Sequence, residues 1–366
     1  MNRNQTPILP LPAPVIPAIV GIVAGCGIFL IFVLPRIPRR ILALEQPANP
    51  NMSVEEYNRR GNELYEQSLF KRAAVEYGHM IEKAPEYSSG YFLRGRAENK
   101  MGDYKQAIRD DTEGLKHAKA TDMIKYLYYD RGRALRSMGD CVHAVPDFTQ
   151  AIALQPDMGD AYEIRAFCYT TLGDYDRAIA DYTVAIAQNP HPGTVFERGQ
   201  AYLKKKEYEK ALADLDRSLT DRPGFVPGYR LRSEAYLGLK EYARAVADAE
   251  TTLRLDDSAT SRGGLGWCQY LAGKMPKAIA NSQAAIKMDP NATFARFNLG
   301  LCYAVQGDTD AAKTAYEDAL QHAKAGDLTS AAQDVKDALV KQPNAPALRQ
   351  AETLLQAALP RASATL

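Results

Sequence analysis

Six arginines along the chain are each followed, sixteen residues later, by an aspartate or a glutamate. Arg165 and Asp181 form one such pair, and both lie in otherwise apolar helical stretches. A guanidinium fork can bind a carboxylate of its own chain, or it can bind a phosphate or carboxylate of a ligand. The pairs could therefore be structural contacts or a ladder of anion sites; they are Arg60/Glu76, Arg94/Asp110, Arg131/Asp147, Arg165/Asp181, Arg198/Asp214 and Arg232/Asp248.

The acid disappears wherever the arginine does, and this favours the structural interpretation. The next two positions of the series hold Leu265/Asn281 and Leu299/Ala315. Independent surface charges would not be expected to vanish together twice. We therefore expect each arginine to contact its acid between two helices, within one repeat or between neighbours.

Other residue types that carry chemistry are dispersed. The five histidines do not cluster, and the five cysteines, at 26, 141, 168, 268 and 302, include no C-x-x-C spacing. The sequence contains no H-E-x-x-H, no phosphate-binding glycine loop and no nucleophile elbow. Lysine plus arginine total 45 against 44 acidic residues, which argues against a general nucleic-acid binder. We expect no catalytic residue, metal site, cofactor, small-molecule substrate or nucleic acid.

The arginine positions also mark an internal repeat. The steps between Arg60, Arg94, Arg131, Arg165, Arg198, Arg232, Leu265 and Leu299 are 34, 37, 34, 33, 34, 33 and 34 residues. Each unit holds an amphipathic helix, a short turn that is often Gly-Asp, and a second helix that is often closed by proline. A repeat of this length predicts stacked helix pairs.

This pattern resembles the tetratricopeptide repeat family, over eight units in residues 53–326. The resemblance rests on small residues that let paired helices approach closely: Gly61, Gly95, Gly132, Ala166, Gly199 and Gly266 in first helices, and Ala73, Ala107, Ala144, Ala178, Ala211, Ala245, Ala278 and Ala312 in second helices. It implies an all-α solenoid, a right-handed superhelix of helix pairs with a concave inner face. Residues 327–366 are expected to form C-terminal capping helices and a tail.

The helix face opposite the arginines would line the concave groove, and aromatic and arginine residues occur there. Such residues suit a peptide-binding surface. The alternative is that they pack against a neighbouring helix, or that the C-terminal helices fold over the last units. The candidate groove residues are Phe92, Arg96, Tyr126, Tyr129, Arg133, Arg136, Phe167, Phe196, Trp267 and Tyr270.

Ahead of the array, residues 15–34 form an uncharged apolar run of twenty that is long enough to cross a bilayer. Residues 1–14 form a tail, and residues 35–52 a proline-rich linker. Three arginines after the run place the array on the cytoplasmic side by the positive-inside rule. A cleaved signal peptide is one alternative. A lipoprotein anchored at Cys26 is another, although the apolar run continues past that cysteine.

These features predict a single-pass, membrane-anchored scaffold that binds partner proteins in its groove and helps to assemble a membrane complex. Two alternatives remain open. One is a membrane-tethered receptor for protein targeting or import. The other is a regulatory or lipoprotein-type subunit of an enzyme, secretion, pilus or envelope complex.

Overall fold

The computed structural model describes residue 49 and residues 51–363, with side chains up to residue 359. This part contains eighteen α-helices and no strand, as the repeat pattern predicts. The predicted membrane helix at 15–34 lies outside it, as does almost all of the linker. None of the eighteen helices is both long enough and apolar enough to cross a bilayer.

The described residues divide into two compact units, one that ends at His117 and one that begins at Ala118. The described part of the first unit holds α1 (Val54–Glu66), α2 (Phe70–Lys83), α3 (Ser88–Met101) and α4 (Tyr104–His117). The second unit holds α5 (Thr121–Ser137), α6 (Cys141–Leu154), α7 (Gly159–Thr171), α8 (Tyr175–Gln188), α9 (Pro192–Lys204), α10 (Tyr208–Asp221), α11 (Val226–Gly238), α12 (Tyr242–Leu255), α13 (Ala259–Leu271), α14 (Met275–Met288), α15 (Thr293–Gln306), α16 (Thr309–Leu320), α17 (Ala325–Lys341) and α18 (Pro346–Ser363).

The Gly-Asp turns work as their residue types predict, and the turn between α7 and α8 is an example. Gly173 has a φ of 80°, in the left-handed region where glycine carries no steric penalty. Asp174 then caps α8, because its carboxylate accepts a hydrogen bond from the backbone N–H of Arg177 at 3.2 Å. Two adjacent residues thereby end α7 and begin α8.

Small residues bring the paired helices together. The eight second-helix alanines are all 0–1% exposed. At Gly61 a Cβ atom would lie only 2.4 Å from the Tyr77 ring, so α1 and α2 can pack at this distance only without a side chain there. Consecutive helices pack on one another from α1 to α4 and from α5 to α16, and α17 packs on α18.

The structure joins all six arginine–acid pairs. In five of them both Nε and Nη2 of the arginine donate to the two carboxylate oxygens, at 2.6–2.9 Å. Arg60 makes a single hydrogen bond to its acid, from Nη2 to Glu76 Oε1, at 2.9 Å. Each arginine therefore stands in a first helix and is held by an acid of the second helix of the same repeat. The aspartates of the five two-bond pairs are only 3–7% exposed: Asp110, Asp147, Asp181, Asp214 and Asp248.

A third nitrogen extends three of these contacts to the preceding repeat. Nη1 of Arg165 donates to Thr149 Oγ1 at 3.0 Å, and Nη1 of Arg198 donates to Thr183 Oγ1 at 3.1 Å. Nη1 of Arg232 donates to Asp216 Oδ1 at 2.7 Å. Each of these three arginines thus links three helices: the first helix that carries it, the second helix of the same repeat, and the second helix of the preceding repeat.

Where the pair is absent, other contacts replace it. Leu265 is buried in an apolar cluster, and Asn281 Nδ2 donates to Gln269 Oε1 at 2.9 Å. In the eighth repeat, buried Arg296 donates through Nε to the carboxylate of Asp318 in α16. That pair has a sequence spacing of 22 residues, so the sixteen-residue pattern does not reveal it.

The last two helices cover the end of the array. Leu328, Val335 and Leu339 of α17 share one buried cluster with Leu348 and Leu355 of α18. The same cluster contains Phe297, Leu301 and Tyr316 from α15 and α16. Helix α18 packs on α16, as a further first helix would, and α17 packs on α15. The two helices therefore bury apolar surface that the eighth repeat would otherwise expose.

We expect Asp181→Ala to lower the free energy of unfolding by about 3 kcal/mol or more, because it strands the Arg165 guanidinium in a largely buried site. Asp176→Ala is the matched control. It lies in the same helix and pairs with Lys205, but its side chain is 80% exposed, so we expect about 0–1 kcal/mol. Urea unfolding of both variants measures the difference. Equal effects would show that the seam does not carry the stability assigned to it.

Glu98 offers a pH-dependent test of the same seam. It is buried, and its Oε1 lies 3.9 Å from Nε of Arg94, which already binds Asp110. Burial, and then the Asp110 carboxylate, raise the pKa of Glu98 to about 8. The fold therefore favours the protonated acid, and the stability gained from it is present below about pH 4.5 and is lost as the pH rises through about 8.

We accordingly expect Glu98→Gln to be more stable than the wild type by a margin that grows between about pH 4.5 and pH 8 and then levels off. The amide resembles the protonated acid and does not ionise. Chemical unfolding of both proteins across this range gives the margin directly. A margin that stays constant with pH would contradict the raised pKa.

Candidate functional site

The arginine–acid pairs, which the sequence left open as a ladder of anion sites, offer a ligand little access. In the second unit, Asp147 is 4% exposed, and Asp214 and Asp248 are each 6% exposed. Both oxygens of each carboxylate accept from the arginine of the same repeat, at 2.7–2.8 Å. Because Nε and Nη2 of each arginine are used in this way, the fork that would bind a ligand anion is already occupied. The geometry therefore favours the structural interpretation of these pairs, and a binding surface must be sought elsewhere.

The side of the second unit that carries no arginine–acid seam presents an aromatic and basic strip on α5 and α7. This α5–α7 strip consists of Tyr126, Tyr129, Arg133, Arg136 and Phe167. The guanidinium of Arg136 lies 4.4 Å from the centroid of the Phe167 ring, and that of Arg133 lies 5.6 Å from the Tyr129 ring. Tyr126 is 44% exposed and Phe167 is 37% exposed. The strip therefore offers ring faces and cations together.

Tyr126 and Tyr129 form one wall of an open cavity of about 370 Å³ at the turn between α6 and α7. Its other walls are mostly polar and include Gln155, Asp157 and Gln188. The strip thus continues from exposed rings into a recess that can accept both donors and acceptors.

Tyr129 is less available than the sequence suggests. It is half-buried, packs against the core of the third repeat, and meets the Phe148 ring edge-on with centroids 6.0 Å apart. Burial raises its pKa to about 12. The side chain is therefore part of the core as well as of the strip, because its helix position faces the neighbouring second helix.

The strip is not uniformly basic. Arg133 lies 3.5 Å from the buried carboxylate of Asp130. Burial and then the nearby carboxylate of Glu163 raise the pKa of Glu197, whereas Arg136 opposes that rise. Carboxylates of α5, α7 and α9 therefore lie near the arginines of the strip, which suits a partner segment that carries both signs of charge.

Two predicted groove residues lie in the first unit. The guanidinium of Arg96 is 5.5 Å from the centroids of both the Tyr65 and Phe92 rings. Arg96 is exposed and Phe92 is half-buried. This cluster has the same composition as the α5–α7 strip.

Phe196, Trp267 and Tyr270 already have partners within the chain. The Phe196 ring meets the Phe225 ring edge-on, with centroids 4.8 Å apart. Trp267 and Tyr270 stack on one another, with centroids 5.4 Å apart, and both pack against the cluster formed with α17 and α18. Both rings therefore pack against the apolar cluster that α15 to α18 form together at the C-terminal end.

Besides the Arg296–Asp318 pair, sequence reasoning missed two features. The first is the hydrogen bonding between repeats by Thr149 and Asp216. The sequence does contain a signal for it, because each residue lies sixteen positions before the arginine that it binds. A cavity between α11 and α13 was also missed, although the glycine pair at 263–264 marks it. Within the described residues, no three His, Cys, Asp or Glu side chains are placed to hold a metal ion, and four free cysteines are buried.

The same repeats are found by comparison with known proteins. A family model described as a tetratricopeptide repeat matches residues 129–191, 169–224, 230–293 and 278–327, together more than half of the chain. Among solved structures, the C-terminal part of a TPR repeat-containing protein from Cytophaga hutchinsonii is 19% identical with a TM-score of 0.56. The match covers 66% of this chain and 98% of that one.

A tetratricopeptide repeat protein from Parabacteroides merdae is 17% identical with a TM-score of 0.47, covering 68% of this chain and 98% of that one. The family assignment rests on the matching repeat model and agrees with the helix pairs and small-residue contacts described above. The chain belongs to the tetratricopeptide repeat family.

Proposed function

We propose that this protein is a non-enzymatic scaffold that binds a segment of a partner protein on the α5–α7 strip. The observation that carries the proposal is the exposed pairing of Arg136 with Phe167, beside exposed Tyr126. Aromatic rings and arginine dominate the energetics of protein interfaces, because they combine large rigid contact area with directional donors. Tetratricopeptide arrays are typically protein-interaction scaffolds, which supports the same conclusion.

The strip also indicates the chemistry of the segment. Its rings favour an apolar or aromatic residue of the partner, and its arginines favour an acidic residue nearby. The carboxylates of Asp130, Glu163 and Glu197 along the same faces would repel a purely acidic peptide. We therefore propose an extended or helical partner segment of mixed apolar and charged composition.

We further propose that residues 15–34 anchor the protein in a membrane and that the array lies on the cytoplasmic side, as part of a membrane-associated complex. The support is the length and apolar character of this run, together with the arginines that follow it. A scaffold fixed in this way would hold its partner at the bilayer surface.

For the strip, we expect Arg136→Ala combined with Phe167→Ala to weaken partner binding at least tenfold while the melting temperature changes little, because Arg136 is exposed and Phe167, at 37% exposed, belongs to neither neighbouring buried cluster. The partner is first identified by mild-detergent purification and mass spectrometry, and its affinity is then measured by calorimetry.

Val142→Ala is the matched control, since this side chain is 62% exposed on α6 and lies outside the strip. Tyr129→Ala should lower the melting temperature, because its ring packs in the core. Unchanged affinity in the double variant, or an equal loss in the control, would contradict the assignment of the strip.

For the anchor, we expect the full chain to stay in the membrane pellet after alkaline carbonate extraction, and a variant lacking residues 15–34 to move to the supernatant. Protease treatment of sealed vesicles from either side then reports which face carries the array. Release of the full chain by carbonate would rule out a spanning helix.

A further inference from the structure

A cavity of about 410 Å³ lies between α11 and α13, over the C-terminal half of α12. Its walls include the apolar side chains of Leu237, Ala249, Leu265 and Trp267. Its size is in the range of pockets that accept small ligands or single side chains. It is separate from the α5–α7 strip, which involves other helices.

The repeat itself explains why this space is open. One residue before the arginine position, the second, fourth and sixth repeats carry Leu93, Ile164 and Leu231, and each packs against a buried apolar cluster. The seventh repeat has Gly264 at this position. Beyond its own stretch of helix, no atom lies within 4 Å of the point where its Cβ would stand. The cavity therefore includes the space that an aliphatic side chain fills in these three repeats; the first, third, fifth and eighth repeats carry Arg59, Asp130, Glu197 and Asn298 at this position.

The cavity is not purely apolar. Thr252 lines it and is 5% exposed, and its buried hydroxyl has no hydrogen-bond partner. Exposed Arg230 and Glu234 also line it, on one face of α11. A cation that donates and a carboxylate that accepts can bind the C=O and N–H groups of an extended backbone. The surroundings therefore favour a peptide over a bare hydrocarbon.

We propose that this cavity is a subsite for one aliphatic, leucine-sized side chain of a bound peptide segment, which takes the place of the side chain missing at Gly264. The side chain would contact Leu237, Ala249 and Trp267, while Arg230 and Glu234 would bind the flanking backbone. The inference does not depend on the α5–α7 strip, because the cavity and its lining residues are complete without it.

Trp267 makes the proposal directly measurable, because it is the single tryptophan of the chain and it lines the cavity. The probes are two blocked tripeptides, acetyl-Gly-Leu-Gly-amide and acetyl-Gly-Gly-Gly-amide, titrated into the full chain. We expect a saturable change in tryptophan emission with the leucine peptide, at a dissociation constant in the millimolar range for so small a ligand. The glycine peptide should bind at least fivefold more weakly.

The deciding variant is Gly264→Leu, which places the side chain of sibling repeats in the cavity. We expect it to weaken the leucine probe at least fivefold and to raise the melting temperature, because it fills a void and replaces a glycine within a helix. Gly326→Leu is the matched control. It is also a helical glycine with open space around it, but it lies in α17, so it should leave probe binding unchanged.

A wild-type protein that shows no saturable response to the leucine peptide would overturn the subsite, as would a Gly264→Leu variant that binds it like the wild type. Should Gly264→Leu fail to fold, Gly264→Ala replaces it, and an unchanged affinity there also overturns the proposal. The Arg136→Ala/Phe167→Ala variant should bind the probe normally. Failure of the strip and failure of the subsite are therefore distinguishable.

Discussion

The buried arginine fork is the interaction on which the array depends. A guanidinium has five donors in one plane, so it can bind a carboxylate with two nitrogens and still donate sideways with a third. In this chain the first two reach the second helix of the same repeat, and in three repeats the third reaches the helix before it. One cation thereby fixes the pairing of helices and the stacking of repeats. Lysine has no planar fork and could not satisfy the same geometry.

The fork also determines which surface is free to bind. Because the carboxylates are buried against their arginines, the seam is electrically balanced and is occupied by the protein itself. The opposite face of each first helix forms no arginine–acid pair, and its residues vary between repeats. Examples are Arg133 and Arg136 on α5, Phe167 on α7 and Trp267 on α13. A seam shared by six repeats and a variable opposite face together suit a modular binding protein.

Local pattern was sufficient to predict the helix pairs, the Gly-Asp turns and the partners within the seam. These features repeat, so each copy tests the interpretation of the others. The accessibility of single groove residues could not be read in the same way. Whether Tyr129 contacts Phe148, or Trp267 packs against the C-terminal apolar cluster, depends on contacts between helices that are far apart in sequence or occur only once. The Arg296–Asp318 pair was missed for the same reason, because its spacing occurs nowhere else in the series.

The seventh repeat combines two departures from the pattern of the other repeats. With Leu265 and Asn281 in place of the arginine and the acid, this repeat lacks the ion pair between its two helices. Gly264 leaves open the space beside α11 where other repeats place a side chain. Such losses would weaken a repeat in the middle of an array, since each repeat is stabilised mainly by its neighbours. Here α17 and α18 contribute a large apolar cluster that reaches Trp267 and Tyr270. Apolar packing on the C-terminal side thus accompanies the open cavity beside Gly264, a position that holds leucine or isoleucine in the second, fourth and sixth repeats.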